Sequence, residues 1–252
     1  TPAGLHETLT RFRDLLHEKH GALGTDPHGD PRYGFVHGNW ALCNSRPDGD
    51  WCGVNEELGV LRETGCYADF TMPSAPSPTQ ARMANTIYYA QDRPGRPRGH
   101  DRGRTISATP QHPQPAPGEL LMIPGPLALN WGWRKWGILP RLENADISGT
   151  NPPSARRADL WIRQHLHVDG KPDWIFVKIH SHSCRPTNYT AVLGPAMHAM
   201  HDHLQQVYND GKDFVLHYLT AREMYNVVRA AENGITAWSP QLRDFEIARP
   251  QP

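Results

Sequence analysis

The chain has 252 residues, 38% of them apolar and 21% charged, enough for a buried core and too apolar for a disordered chain. Its 26 Lys and Arg balance 26 Asp and Glu, so the basic excess of a protein that coats nucleic acid or an anionic membrane is missing. The longest apolar runs, Leu120 to Ile123 and Trp174 to Val177, fall far short of the roughly 20 residues a membrane helix needs. Neither a nucleic-acid nor a membrane partner is therefore expected.

The first element is a helix. Thr1 and Pro2 form a cap and first turn, and Leu5, Leu9, Phe12, Leu15 and Leu16 recur at helical spacing until Gly21. Tyr33 to Trp40 reads as a strand, Asn55 to Thr64 as a helix with Leu58 and Leu61 inward, and Cys66 to Thr71 as a strand. Residues 91 to 118, rich in Pro, Arg and Gly, predict a long loop excursion. Glu119–Ile123 and Leu127–Trp131 are short strands, and Pro153 to His167 is a helix. Trp174 to His182 has the strongest strand pattern, followed by a helix over Gly194–Tyr208 and a strand over Phe214–Leu219. Thr220 and Glu223 make a capping box for a last helix to about Glu232. Strands alternating with helices predict a parallel α/β arrangement in one domain spanning residues 1–252, a barrel entered partway round.

In such folds polar residues at the carboxyl ends of strands build the active site. Alternation puts Lys178, His180, His182 and Cys184 on one face, opposite Ile175, Val177 and Ile179. His180 and His182 can act as an acid–base pair or as metal ligands, or one can bond locally while the other is solvated. His37 and Asn39 share a face beside Gly38 and Trp40, which suits a substrate contact or a buried His–Asn pair. Asp69, inside an apolar strand, needs a partner. It either orients a histidine or caps a loop. His198, His201 and His203 fit an amphipathic helix better than a metal site. Trp131, Trp133 and Trp136, among Arg134, Lys135 and Arg141, suit sugar rings or a packed core.

Four cysteines, Cys43, Cys52, Cys66 and Cys184, form no CxxC pair, which excludes a zinc knuckle or a thioredoxin-type motif. Four in a chain this long is no disulfide scaffold, and no signal-peptide h-region is present, so a cytoplasmic location is expected. No GxGxxG, Walker A, GxSxG or HExxH motif occurs, which leaves a histidine-centred hydrolytic site.

The segments His37-Gly-Asn-Trp-Ala-Leu42, Asn44-Ser-Arg-Pro-Asp-Gly49, Trp51-Cys-Gly-Val-Asn55, Gly65-Cys-Tyr-Ala-Asp-Phe-Thr-Met-Pro-Ser-Ala-Pro76 and Thr220-Ala-Arg-Glu-Met-Tyr225 carry a likeness. Over about residues 1 to 232 the chain resembles bacterial polysaccharide-deacetylase-like proteins of the glycoside hydrolase/deacetylase superfamily. That resemblance implies a distorted NodB-type (β/α) barrel and a metal-dependent hydrolase that removes acyl groups from N-acylated sugars or polysaccharide. It implies a carbohydrate substrate and a divalent metal, zinc by analogy, in the intact protein. The family's Asp pair and metal-binding His motif have no counterpart before Tyr33, so they are expected upstream of Thr1, with the barrel incomplete at its N-terminus. This chain by itself need then hold no metal. Lys178-Ile-His180 resembles the family's Leu-x-His motif, with Lys for Leu, which makes His180 the general acid and His182 its neighbour or a further ligand. Asp69 resembles the Asp-bearing strand and would tune a histidine, while His37 and Asn39 stand where an Arg-bearing strand is usual. Substrate contacts are expected from His37, Asn39, Trp40 and Trp131. The alternative is a carbohydrate-binding pseudoenzyme on a degenerate barrel. Oligomeric state is left open.

Overall fold

In the computed structural model, which describes residues 1–50, 52–109, 115–182 and 185–251, the Thr1 hydroxyl accepts the Gly4 amide at 3.2 Å. With Pro2 in the first turn, this starts α1, Pro2–Glu18. A short β1, Gly24–Thr25, turns back antiparallel onto β2, Pro31–Phe35. The chain then enters α2, Glu57–Glu63, which buries Leu58, Val60 and Leu61 and gives way at Gly65, where φ is +99°. The buried strand β3, Cys66–Asp69, follows.

β4 (Tyr88–Gln91), β5 (Gly103–Thr105) and β6 (Glu119–Met122) complete a sheet of order β1-β2-β3-β6-β4-β5. The pairs β2/β3 and β3/β6 are parallel, whereas β4 runs antiparallel to both β5 and β6. Leu42, Leu58, Leu61, Cys66, Tyr88, Leu120 and Met122 pack into the adjoining core. The last helix, α6, Ala221–Glu232, opens on the predicted capping box, with the Thr220 side chain and Glu223 bonded reciprocally. Its Arg229 is buried and bonds Glu232, Glu246 and the Tyr89 hydroxyl.

The described residues group into two compact units. One comprises Thr1–Pro124, His167–Trp174 and Leu219–Pro252, and the other Gly125–Leu166 and Ile175–Tyr218. The second unit holds the hairpin of β7 (Ala128–Lys135) and β8 (Leu139–Glu143), then α3 (Ala155–Ile162), α4 (Tyr189–Leu193) and α5 (Pro195–Val207). Ala145, Ile147, Ala158, Trp161 and Met200 form its core. Buried Glu143 accepts both Arg157 and the Trp161 indole, at 2.8 and 3.0 Å.

The molecule is mixed α/β, and among the described residues no sheet closes into a barrel. The strand expected over Trp174–His182 lacks a ladder, touching its neighbour through one parallel bridge between Asp146 and His180. Lacking strands on either side, it does not alternate as expected. Phe176 is buried while Ile179 is 42% exposed. The expected strand over 214–219 is likewise irregular. Conversely, β5 forms inside the stretch expected to be loop. Its Gly103 lets the chain pass against the Tyr89 carbonyl, where a Cβ would come within 2.0 Å. No helix among the described residues is long and apolar enough to cross a membrane.

Candidate functional site

The parallel register sets Phe35 beside Asp69 and Asp69 beside Met122. The carboxyl ends of β2, β3 and β6 thus emerge together. Asp69 is 1% exposed. Its carboxylate accepts the Thr71 amide at 2.9 Å and the Thr71 hydroxyl at 2.7 Å. The same hydroxyl accepts the His37 amide at 2.8 Å. Asp69 therefore acts on His37 through Thr71, fixing its backbone.

The His37 ring is held from both sides. Nδ1 accepts the Asn39 amide at 3.3 Å, which leaves the proton of the neutral ring on Nε2. Nε2 lies 3.8 Å from Oε1 of Glu57, the first residue of α2. Glu57 is buried, and its Oε2 accepts the Cys43 amide at 2.6 Å. Burial pushes the Glu57 carboxyl up to about 7, helped by the Asp69 and Asp92 carboxylates and opposed by the Cys43 bond. Burial also lowers the His37 pKa. Near neutral pH the pair is thus a carboxyl on the edge of ionisation beside an uncharged imidazole.

The loop that brings Cys43 to Glu57 is strained. Trp40 and Cys43 have φ of 58° and 51°, left-handed values that cost an ordinary L residue about 1–2 kcal/mol each, while Asn44, at 52°, is of a type that adopts them readily. The Cys43 thiol donates toward Asp92 Oδ1 at 3.8 Å, while Asp92 accepts the Leu58 and Gly59 amides at 3.3 and 2.7 Å. The His100 amide also lies beside this thiol. The buried His100 ring has Nε2 at 3.3 Å from the Thr79 carbonyl, and burial brings its pKa down to about 4.

Asp69, His37, Asn39 and Trp40 fall in the first unit, whereas His180, His182 and Trp131 fall in the second. His180 exchanges backbone bonds with the Ala145–Ile147 segment, and burial, reinforced by Lys178, brings its ring down to about 4. His182 is exposed, and its carbonyl accepts the Asn188 side chain at 2.9 Å. Cys184 and Trp51 lie outside the described residues. His203 and Tyr208 both bond Asp159, and His201 meets the Tyr218 hydroxyl at 3.0 Å, so these rings have protein partners.

No group of three or more His, Cys, Asp or Glu among the described residues is arranged to hold a metal ion. The chemistry of the cluster agrees, since Asp69, Asp92 and Glu57 spend oxygens on N–H and O–H donors. The zinc site that the resemblance implies draws on none of these carboxylates, and no step is routed through one. Glu57, Thr71, Asp92 and His100 escaped the sequence reading. Asp92 follows Tyr88-Tyr-Ala90 and the polar Gln91, a weaker signal than that of Asp69 inside its apolar strand. No family model, curated protein or solved structure matches this chain.

Proposed function

We propose that the chain serves a hydrolase of the polysaccharide deacetylase type, removing an acyl group from an N-acylated sugar, with His37 moving the proton and Glu57 stabilising the charged ring. A distorted deacetylase barrel is the fold that goes with this activity. The single observation behind it is the Glu57–His37 pair, 3.8 Å apart at the carboxyl ends of parallel strands, with the carboxyl near 7. The segments that carry the resemblance, His37 to Leu42 and Gly65 to Pro76, also supply His37, Asp69 and Thr71.

Nδ1 of His37 takes a proton from water, giving up the bond from Asn39, as the water oxygen bonds to the acyl carbon. Ionised Glu57 stabilises the imidazolium at Nε2. The ring then returns its proton to the amide nitrogen as the C–N bond breaks, leaving a free amine and a carboxylic acid. Asn39, whose amide bonds the ring, and Trp40, whose amide bonds the His37 carbonyl, serve as substrate contacts. The resemblance gives the acid's role to His180, beside His182. The Glu57 carboxyl, 3.8 Å from His37 Nε2, is placed to hold the imidazolium, so we assign both transfers to His37.

Acetate release from N-acetylated chito-oligosaccharide is the test. The protein releases acetate, and His37→Ala lowers kcat by about 10²–10⁴ with the fold retained. A folded protein that releases none overturns the hydrolase. Sugar binding without release supports instead the second reading, a carbohydrate-binding protein on a degenerate barrel.

A further inference from the structure

The β7/β8 hairpin inverts the usual rule for hairpins, in which the turn is polar and the apolar face is covered. Trp136 and Ile138 at its tip are 76% and 74% exposed, and Trp131 and Leu139 are 58% and 53% exposed. The Ile138 amide donates to the Lys135 carbonyl at 3.2 Å across Trp136 and Gly137, whose φ values are 55° and 73°. Such a turn favours Asn-Gly, and a bulky side chain at the first position is disfavoured. Nothing in local folding calls for a tryptophan there.

Cations accompany the rings. Arg141 lies 4.1 Å from the centre of Trp133, Lys135 4.5 Å from Trp136 and Arg134 5.9 Å from Trp131. From Leu129 to Leu142 there is no Asp or Glu. We propose that this hairpin is a peripheral membrane anchor that seats its tip in the interfacial zone of an anionic lipid bilayer.

Trp with Lys or Arg is the pairing that this zone favours, and an aliphatic tip reaches the acyl boundary while cations meet anionic headgroups. A sugar stacks on a bare aromatic face, but here cations stand over the rings, and Ile138 and Leu139 offer it no face. A surface anchor is compatible with the lack of a crossing helix. It departs from the membrane-free expectation because net charge and run length average over the chain, and the patch is local. The anchor is independent of the Glu57–His37 site.

The test is co-sedimentation of the protein with phosphatidylcholine vesicles, with and without about one-third phosphatidylserine. The protein partitions onto the anionic vesicles with a blue shift of tryptophan emission, and salt weakens the binding. Arg134→Gln with Lys135→Gln lowers that partition about 25-fold, about fivefold per cation. Trp136→Asn suits the left-handed turn, so the thermal midpoint holds or rises while partition falls about tenfold. No co-sedimentation, or partition unchanged in a folded Trp136→Asn protein, overturns the anchor. So does binding of polygalacturonate, or self-association through the hairpin, without vesicle binding.

Discussion

Glu57 is the residue whose burial has the largest consequence. Its carboxyl titrates near 7 in the folded chain against an ordinary value of 4.5, so the folded state holds its proton more tightly than the unfolded state does. Stability from this group is complete below about pH 4.5 and is lost as pH rises to about 7, amounting to about 3 kcal/mol. Glu57→Gln keeps an oxygen for the Cys43 amide and removes the charge. Urea titrations from pH 5 to 8 are expected to show a flatter stability profile and a more stable protein at pH 8. His180 runs the other way. Its folded value near 4 lies below the ordinary 6.5, so stability present above pH 6.5 is lost as pH falls through about 4. His180→Gln should flatten that acid limb by about 3 kcal/mol, and an unchanged limb would show that this ring is not desolvated.

At the scale of the element, helix ends were the most legible features. Thr1 and Thr220 cap their helices as their types and spacing require. Thr220→Ala is expected to cost about 1 kcal/mol in thermal denaturation, because it breaks a reciprocal box and leaves the Glu223 amide open. Strands were legible where neighbours pair with them, as β3 and β6 do. They were illegible where the pattern was good and a partner was missing. Trp174 to His182 is apolar enough for a buried strand, but side chains take alternate faces only where neighbouring strands hold the backbone extended, and only one bridge forms. Asp69 could be recognised as a buried polar residue from its apolar strand. Glu57 could not, because the first turn of a helix is an ordinary place for an exposed acid, and its burial depends on the left-handed loop at Cys43.

At the scale of the whole molecule, each unit encloses its own arginine. In the first, Arg229 joins α6 to Glu246 and to Tyr89 on β4. In the second, Arg157 on α3 joins Glu143 on β8 and the carbonyls of Asp146, Asn151 and Pro152. Removing either guanidinium strands a buried carboxyl, so Arg229→Met and Arg157→Met should each cost about 3–5 kcal/mol. Hydrogen exchange separates them. Arg229→Met should lose protection along α6 and β4, and Arg157→Met along α3 and β8. That the chain mixes helices and strands was legible from local periodicity, whereas their order and the open sheet were not: β3 to β8 follow one another with no α-helix between them, and closure depends on pairings distant in sequence.

If ionised Glu57 holds the His37 imidazolium as we propose, the pH profile of acetate release with and without that carboxyl tests it most directly. For the native protein the account predicts a rate that rises through a limb near pH 7, as Glu57 ionises. Glu57→Gln should release acetate slowly and without that limb. A variant that keeps both the rate and the limb would contradict the account.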